Sequence, residues 1–172
     1  MKIFRLLFFS FLFLFLLVTG ISLFIPSHIR ISKAINIAAT ADTVLSQIND
    51  PGKWKNWFPG LESSTLFYET GVVKGVIISD SSQQYIRITE KKKDEIITEL
   101  RSGSKKIVSG WKIINYDRSG SATLQWYMDF KLRWYPWEKF SSLIFEKSYG
   151  IKMEQGLNNL KKLVETNRTS IN

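Results

Sequence analysis

The chain has 172 residues, of which 44% are hydrophobic and 23% charged, a size and composition that favour one folded domain with a single hydrophobic core. It contains no cysteine, which excludes disulfides, thiolate catalysis and cysteine-ligated zinc sites. The formal net charge of +9 favours anionic partners, namely nucleic acid, phospholipid head groups or acidic ligands.

Residues 1–27 are predicted to form a membrane anchor. Residues 6–25 carry no charge and are mostly Leu, Phe, Ile and Val, and about 20 apolar residues span a bilayer as a helix. Lys2 and Arg5 precede this run, so we expect a cytoplasmic N-terminus and the rest of the chain on the outer, periplasmic or extracytoplasmic, side. A cleaved signal peptide is the alternative, but the run exceeds the ~7–15 apolar residues of a signal sequence.

A strand and a short helix are predicted after the anchor. Residues 30–37 read RISKAINI, in which isoleucines alternate imperfectly with polar residues, as in a half-buried strand. Either Thr40 or Asp42 can cap the helix that follows, because both side chains accept hydrogen bonds from backbone N–H groups. The apolar side chains of this helix recur at helical spacing: Val44, Leu45 and Ile48.

The stretch DPGKWKNWFPG, residues 50–60, is predicted to be a second short helical turn. Its first three residues break the preceding helix, and a Pro-Gly pair ends the turn. Trp54, Trp57 and Phe58 are spaced i, i+3 and i+4, which places the three rings on one side. Rings interleaved with lysines can stack nucleic-acid bases, fill a protein core or cover a pocket for an apolar ligand.

Residues 64–134 are predicted to form about six strands. They lack helical periodicity, are rich in β-branched and aromatic side chains, and are interrupted by short turn signals. Short links between consecutive strands imply an antiparallel meander. The last strand alternates clearly, so that one face is buried and the other wet. Its predicted buried side chains are Leu124, Trp126, Met128, Phe130 and Leu132.

Residues 138–165 are predicted to form one long C-terminal helix with a bend at Gly150, because helix formers carry an apolar stripe there. The polar residues 167–172 form a tail beyond a domain of residues 28–166. A curved sheet with one apolar face needs a cover, so we expect an α+β fold in which about seven antiparallel strands wrap around this helix. Such a sheet leaves a cavity beside the helix, where small hydrophobic ligands bind.

Several short motifs occur in one order along the chain. Residues 37–39 read I-x-A, residues 44–48 read V-x-x-x-I, residues 50–57 read D-x-x-x-W-x-x-W, and the final helix contains GLNNLK. Together they resemble the START-like, or helix-grip, proteins of the SRPBCC group, which includes polyketide cyclase/dehydrase-like and lipid-transport domains. The resemblance implies a helix-grip fold and a lipid, sterol, polyketide or plant metabolite as ligand. Some members of the group are enzymes or chaperone cofactors.

We therefore expect a hydrophobic or amphipathic small molecule, lipid or polyketide-like, to bind in the cavity without covalent chemistry and without a cofactor. The same aromatic residues can simply fill a core. In that case the domain is a protein-interaction module with a closed core and an unknown partner. The predicted pocket residues are Trp54, Trp57, Phe58, Trp111, Trp126, Met128, Phe130, Trp134 and Met153.

No motif indicates a particular reaction. His28 is the only histidine, so the sequence offers neither a Ser-His-Asp arrangement nor a site with two or three histidines on a metal. It also lacks a P-loop or a dinucleotide fingerprint. A cyclase- or dehydrase-type enzyme that uses a carboxylate or a tyrosine of the pocket stays open. The candidate groups are Asp117, Asp129, Glu138, Glu146, Tyr68, Tyr85 and Tyr116.

Nucleic acid is not expected as a partner, despite the positive charge and the six tryptophans. Single-strand binders expose stacking rings in a basic groove, whereas the rings here fall mostly on the buried side of the pattern. The lysine runs at residues 91–93 and 105–106 are interpreted as solvated turns. Anionic lipid suits a basic, tethered domain better, because each Lys or Arg near a membrane contributes about 1 kcal/mol.

Overall fold

Seven antiparallel strands form one curved sheet in the computed structural model, which describes residues 2–79, 81, 83–117 and 120–169. The strands lie in the order β1-β7-β6-β5-β4-β3-β2, so each strand after β1 pairs with its neighbour in sequence. This confirms the predicted meander. The strands are β1 (His28–Ile37), β2 (Thr65–Glu69), β3 (Val72–Ser79), β4 (Gln84–Lys91), β5 (Glu95–Ser102), β6 (Lys105–Asp117) and β7 (Ser121–Lys131).

The first strand closes on the last one. β1 pairs with β7 along its whole length, with Ile31 opposite Met128 and Ile37 opposite Ala122. On the outer face the guanidinium of Arg30 makes two hydrogen bonds of 2.7 Å to the carboxylate of Asp129. A bidentate pair of this kind is stronger than a single hydrogen bond and fixes the register of the two strands.

The helix α4 (Ile151–Thr169) covers the inner face of the sheet, as predicted. Alternate side chains of β7 point toward it, and Leu124 and Trp126 are at most 2% exposed. The stripe of α4 that faces them is also buried: Met153, Leu157, Leu160 and Val164. Sheet and helix therefore share one hydrophobic core, which confirms the α+β, helix-grip arrangement.

The outer face of β7 differs from the expected wet surface at one residue. Tyr127 is only 6% exposed there. Its ring lies opposite Gly110, where a β-carbon would come within 2.5 Å of the ring, and the guanidinium of Arg30 lies 4.5 Å from the ring centroid. The hydroxyl donates a 3.0 Å hydrogen bond to Glu95. Burial and this bond raise the pKa of Tyr127 to about 12.

Two short helical segments follow β1 as predicted. In α2 (Ala41–Ile48) the cap is Thr40, whose hydroxyl accepts from the backbone N–H of Thr43. The second segment is a 3₁₀ helix, Pro51–Asn56, and the carboxylate of Asp50 caps it by accepting from the N–H of Gly52 at 2.9 Å. This cap fixes where the Trp-containing turn begins.

The C-terminal helical region has four parts where one bent helix was predicted. It begins with α3 (Pro136–Ser141), continues as a 3₁₀ turn (Ser142–Ile144) and a π-helical turn (Glu146–Gly150), and ends with α4. Gly150 lies against β1, where a β-carbon would be 3.1 Å from the side chain of Lys33. The π-helical turn thus ends at Gly150, the position of the predicted bend, and the atoms nearest to such a β-carbon belong to the flexible ends of the Lys33 and Glu146 side chains.

The N-terminal helix α1 (Lys2–Ser22) carries exposed apolar side chains along almost its whole length. Among the described residues it is the one helix long and apolar enough to cross a membrane, judged by length and composition alone. The helix ends at Ser22, so the last residues of the predicted apolar run, which extends to Ile25, lie outside it.

Candidate functional site

The Trp-containing turn packs its rings against the middle of the sheet. Trp54, Trp57, Trp111 and Trp126 are at most 2% exposed, and Phe58 packs beside them. The rings that contact one another have centroids 4.9 to 6.3 Å apart, the range of favourable aromatic contacts. We call these five residues the aromatic cluster. The predicted placement of the three rings of the turn on one side is confirmed.

Hydrogen bonds fix part of the aromatic cluster. The indole N–H of Trp54 donates to the carbonyl of Ile48 at 2.8 Å, and that of Trp126 donates to the hydroxyl of Ser109 at 2.9 Å. The N–H groups of Trp57 and Trp111 are buried without a hydrogen-bond partner within the part of the chain that the structure describes. A buried donor of this kind costs about 1–3 kcal/mol unless a partner reaches it.

The other predicted pocket residues lie in three different places. Met128 and Met153 are core side chains, 6% and 1% exposed. Phe130 is also in the core and lines a surface cleft. Trp134 lies outside the aromatic cluster, 63% exposed, with its ring 4.9 Å from that of Tyr135. The structure brings Phe130 to an open cleft, and the role of the other eight residues as cavity lining stays a prediction.

The cleft lies between the sheet and the helical region. It has a volume of about 300 Å³ and is bounded by the start of β6, the end of β7, α3 and the π-helical turn. Its apolar part includes Phe130, Phe145 and Tyr149. The ring centroid of Phe130 lies 4.8 Å from that of Phe145 and 4.8 Å from that of Tyr149. The residues that line it are Ser104, Lys105, Lys106, Ile107, Phe130, Lys131, Leu132, Arg133, Glu138, Ser141, Phe145 and Tyr149.

Four basic side chains stand around this cleft. Lys106 is engaged, because its ammonium lies 2.5 Å from the carboxylate of Glu99. Burial would raise the pKa of Glu99, but the hydrogen bond from Lys106 and the charge of Arg87 outweigh burial and lower it. Lys105, Lys131 and Arg133 form no ion pair with any acidic side chain of residues 2–79, 81, 83–117 and 120–169. The cleft therefore combines an apolar floor with a positive rim, in which Lys105, Lys131 and Arg133 lie outside the ion pairs of the described residues and Glu138 is the one carboxylate among the lining residues.

A phenol and a carboxylate that can take part in proton transfer line the cleft. The phenol of Tyr149 is half-buried, and burial raises its pKa. The carboxylate of Glu138 accepts a 2.8 Å hydrogen bond from the backbone N–H of Arg133. Of the four carboxylates predicted as candidate catalytic groups, Glu138 is the one that lines the cleft.

The remaining candidate carboxylates are engaged elsewhere or lie outside the described side chains. Asp129 lies on the outer face, where the hydrogen bonds from Arg30 lower its pKa, and His28 approaches it to 3.5 Å. Glu146 forms a 2.7 Å ion pair with Lys33. The side chain of Asp117 lies outside the described residues. Asp129 and Glu146 thus have structural partners instead of a place in the cleft.

The candidate tyrosines lie away from the cleft. Tyr68 is 58% exposed on β2. Tyr85 stacks in parallel on Phe67, with ring centroids 5.3 Å apart, and its hydroxyl accepts from Arg101 at 3.5 Å. The side chain of Tyr116 lies outside the described residues. Among the described residues no group of three or more His, Asp or Glu side chains could hold a metal ion.

The basic rim was missed in the sequence because Lys105 and Lys106 looked like part of a solvated turn. One signal could have found it. If β6 and β7 form a hairpin, the start of β6 must lie beside the end of β7, and the register pairs Val108 with Asp129. Lysines at the start of one strand and cations at the end of the next then converge on one edge of the sheet.

Comparison with known proteins agrees with this architecture. Residues 28–165 match the family described as polyketide cyclase/dehydrase and lipid transport. A START superfamily protein of Mycobacterium smegmatis superposes with a TM-score of 0.62 at 20% identity, covering 80% of this chain and 97% of that one. Norcoclaurine synthase of Thalictrum flavum superposes with a TM-score of 0.58 at 14% identity, covering 82% of this chain and 96% of that one.

A third similar structure is the two-domain ARO/CYC protein StfQ of the steffimycin biosynthetic pathway. It gives a TM-score of 0.62 at 11% identity over 83% of this chain and 52% of that one. Identities this low show the fold alone. The sequence has no match among curated proteins. Because the family match covers most of the chain and the fold agrees with it, the chain belongs to the polyketide cyclase/dehydrase and lipid-transport family and contains a START-like domain.

Proposed function

We propose that this protein is a membrane-anchored START-like domain that binds an amphipathic small molecule with an anionic group, and that it does so without covalent chemistry. The ligand would occupy the cleft between the sheet and the helical region. The observation that carries the proposal is the combination in one cleft of an aromatic floor and a positive rim.

The floor suits an apolar chain or ring system. Phe130 is 5% exposed, and the rings of Phe145 and Tyr149 close around it at 4.8 Å each. At about 300 Å³ the cleft reaches the lower end of the usual volume of small-molecule sites. Apolar surface that leaves water here stabilises the complex by about 25 cal/mol for each Å².

The rim suits a carboxylate, sulfate or phosphate. Lys105, Lys131 and Arg133 are exposed and form no ion pair in the described chain, so each can pair with an anionic group of a ligand. The guanidinium of Arg133 can hold two oxygens of one anionic group at once. A neutral hydrophobe would use the floor but leave this rim without a partner.

The anchor and its orientation are part of the proposal. The apolar helix α1 has the length to span a bilayer, and Lys2 and Arg5 lie at its beginning. We infer that the N-terminus is cytoplasmic and the domain lies on the outer side of the membrane. Protease treatment of intact cells tests the side, because an outer domain is digested without lysis and a cytoplasmic one is protected.

The test of binding is lipid extraction. The full chain, purified in a mild detergent, is extracted with organic solvent and the extract is analysed by mass spectrometry. We expect an anionic amphiphile, and we expect the Lys131→Gln/Arg133→Gln variant to lose it. The control Lys55→Gln/Lys147→Gln changes two exposed lysines that do not line the cleft and should retain it. An extract without any amphiphile in excess of detergent-only controls contradicts the proposal.

Titration with a fluorescent fatty acid measures how much the rim cations contribute to the binding affinity. An exposed ion pair contributes about 0.2–1 kcal/mol, so the loss of two rim cations should weaken binding by about two- to thirtyfold. Equal affinity of the wild-type chain and the Lys131→Gln/Arg133→Gln variant would show that Lys131 and Arg133 do not bind the anionic group.

A cyclase- or dehydrase-type reaction is the second candidate, and one observation favours it. Glu138 and Tyr149, a carboxylate and a phenol, line the same cleft. These are the side chains that proton-transfer catalysis requires. If the extracted ligand is converted to a product by the wild-type chain but not by Tyr149→Phe or Glu138→Gln, the protein is an enzyme. If both variants bind and release the ligand unchanged, as the wild type does, binding alone is its function.

A further inference from the structure

The segment around α3 has its polar and apolar sides reversed. The residues that α3 and the following turn bury are Pro136, Lys139 and Ser142, spaced at i, i+3 and i+6. Lys139 is only 4% exposed, although lysine is among the residues least often buried. The opposite side carries large apolar side chains that face away from the domain. A surface helix of a water-soluble domain has the opposite arrangement.

The exposed apolar side of this segment is extensive. Trp134 and Trp137 are each 63% exposed, and Leu143 and Ile144 are 68% and 63% exposed. Phe140 adds a further exposed ring at 36%. We call these five residues the α3 patch. Contiguous exposed apolar surface of this kind marks a surface that contacts another protein or a membrane.

The buried side of the segment is attached to the end of the anchor. The ammonium of Lys139 donates to the backbone carbonyl of Ile25 at 2.5 Å and to the hydroxyl of Ser27 at 2.8 Å. The helix α3 also contacts α1, whose last residue, Ser22, is fully buried. These hydrogen bonds hold α3 at the level where the apolar helix leaves the membrane. Phe24, at this junction, is itself 91% exposed.

We propose that the α3 patch lies in the lipid bilayer interface beside the end of α1. Trp and Tyr are enriched at that depth, because their rings are apolar and their N–H and O–H groups remain hydrogen-bonded to water or head groups. A short helix with its apolar side outward and its polar side turned to the protein fits a membrane-contacting segment. The inference rests on the membrane anchoring proposed above, and it adds a second, peripheral contact between the domain and the lipid.

Docking of the α3 patch orients the cleft. Glu138 and Ser141 belong to α3 and line the cleft, so the same helix contacts the membrane and bounds the binding site. The rim cations Lys131 and Arg133 directly precede the patch in sequence and would meet anionic head groups. An amphiphile that leaves the membrane would then reach the aromatic floor without crossing bulk water.

Tryptophan fluorescence tests the docking. The full chain is reconstituted into vesicles of phosphatidylcholine and phosphatidylglycerol, with or without dibrominated phosphatidylcholine, whose bromines quench indoles that touch lipid. The four tryptophans of the aromatic cluster are at most 2% exposed and should stay unquenched. We expect bromolipid to quench the wild-type chain and this quenching to be lost in Trp134→Phe/Trp137→Phe. Both positions are exposed, so the variant should fold normally.

The outcomes separate the possibilities. If the chain floats with the vesicles and its exposed indoles respond to aqueous iodide but not to bromolipid, the docking is overturned while the anchor stands. If both quenchers fail and shielding depends on protein concentration, the patch binds a second copy and the proposal is overturned. If the chain does not float, both anchor and docking are overturned. A positive lipid extraction together with absent bromolipid quenching removes the docking and leaves the ligand proposal intact.

Discussion

Gly156 of α4 faces the indole of Trp126 so closely that a β-carbon at position 156 would lie 2.7 Å from Cζ3 of the ring. The ring cannot retreat easily, because its N–H is bonded to Ser109 at 2.9 Å and its other neighbours belong to the aromatic cluster. Pro59 lies 3.2 Å from the same point. The glycine thus lets the C-terminal helix pack directly on the Trp-containing turn and the sheet.

Gly156→Ala should therefore destabilise the protein. In an open helix this change stabilises by up to about 1 kcal/mol, because alanine has the higher helix propensity. Here the extra methyl forces the ring or the helix to move, which typically costs about 1–3 kcal/mol. Urea unfolding measures the difference. Asn158→Ala, at an exposed position of the same helix, is the control and should not lower the midpoint. A more stable Gly156→Ala variant would contradict the close packing.

The two kinds of indole in the aromatic cluster should respond differently to Trp→Phe. Trp54 donates a hydrogen bond to Ile48, whereas the donor of Trp111 has no partner among the described residues. Both variants lose the same volume from a fully buried site. Trp54→Phe also loses a hydrogen bond, whereas Trp111→Phe removes a donor without a partner, so Trp54→Phe should cost at least about 1 kcal/mol more than Trp111→Phe. Equal losses in urea unfolding would show that a partner reaches Trp111 in solution.

The pair of Arg30 and Asp129 should make stability fall at acid pH. Its hydrogen bonds lower the pKa of Asp129 below the ordinary 3.8, so the folded protein binds this proton less readily than the unfolded chain. The contribution of the pair is therefore complete above that ordinary value and is lost as pH falls through the folded pKa. Asp129→Asn and Arg30→Gln should both reduce the melting temperature at neutral pH and flatten its decline in acid. If the melting temperatures of the variants and the wild type fall with pH by the same amount, this contribution is excluded.

A bulky side chain at the mouth of the cleft should block binding without harming the fold. Ser141 is exposed on α3 and lines the cleft, and Ser141→Trp would narrow the opening. The matched control is Ser148→Trp, at an exposed position of the π-helical turn that does not line the cleft. Fluorescent fatty acid titration should show loss of binding in the first variant only, with similar melting temperatures in both. Normal binding by Ser141→Trp would place the ligand elsewhere.

Much of the fold follows from local patterns in the sequence. The alternation in β7, the cap residues and the spacing of Trp54, Trp57 and Phe58 each depend on neighbours a few residues apart. Such patterns predict the elements, their order and the meander. The pairing of β1 with β7 could not be read in this way, because it depends on contacts such as that of Arg30 with Asp129, which are 99 residues apart in sequence.

The site was less predictable than the fold. Burial of the aromatic cluster follows from its hydrophobicity, but a core and a cavity use the same side chains, and the sequence does not report volume. Trp134 illustrates the limit. The sequence predicts it as a pocket residue at the end of an alternating strand, yet β7 ends at Lys131 and the ring is exposed. The reversed sides of α3 become visible only when the burial of Lys139 is known.

Photocrosslinking tests the central claim, ligand binding in the cleft, most directly. The full chain is incubated with a diazirine fatty acid, irradiated and digested, and the labelled peptides are identified by mass spectrometry. We predict label on peptides that contain Phe130, Phe145 or Tyr149, and its loss when unlabelled fatty acid competes. Label that instead falls on the Trp-containing turn, residues 50–60, or that spreads over the surface and resists competition, would contradict binding in the cleft.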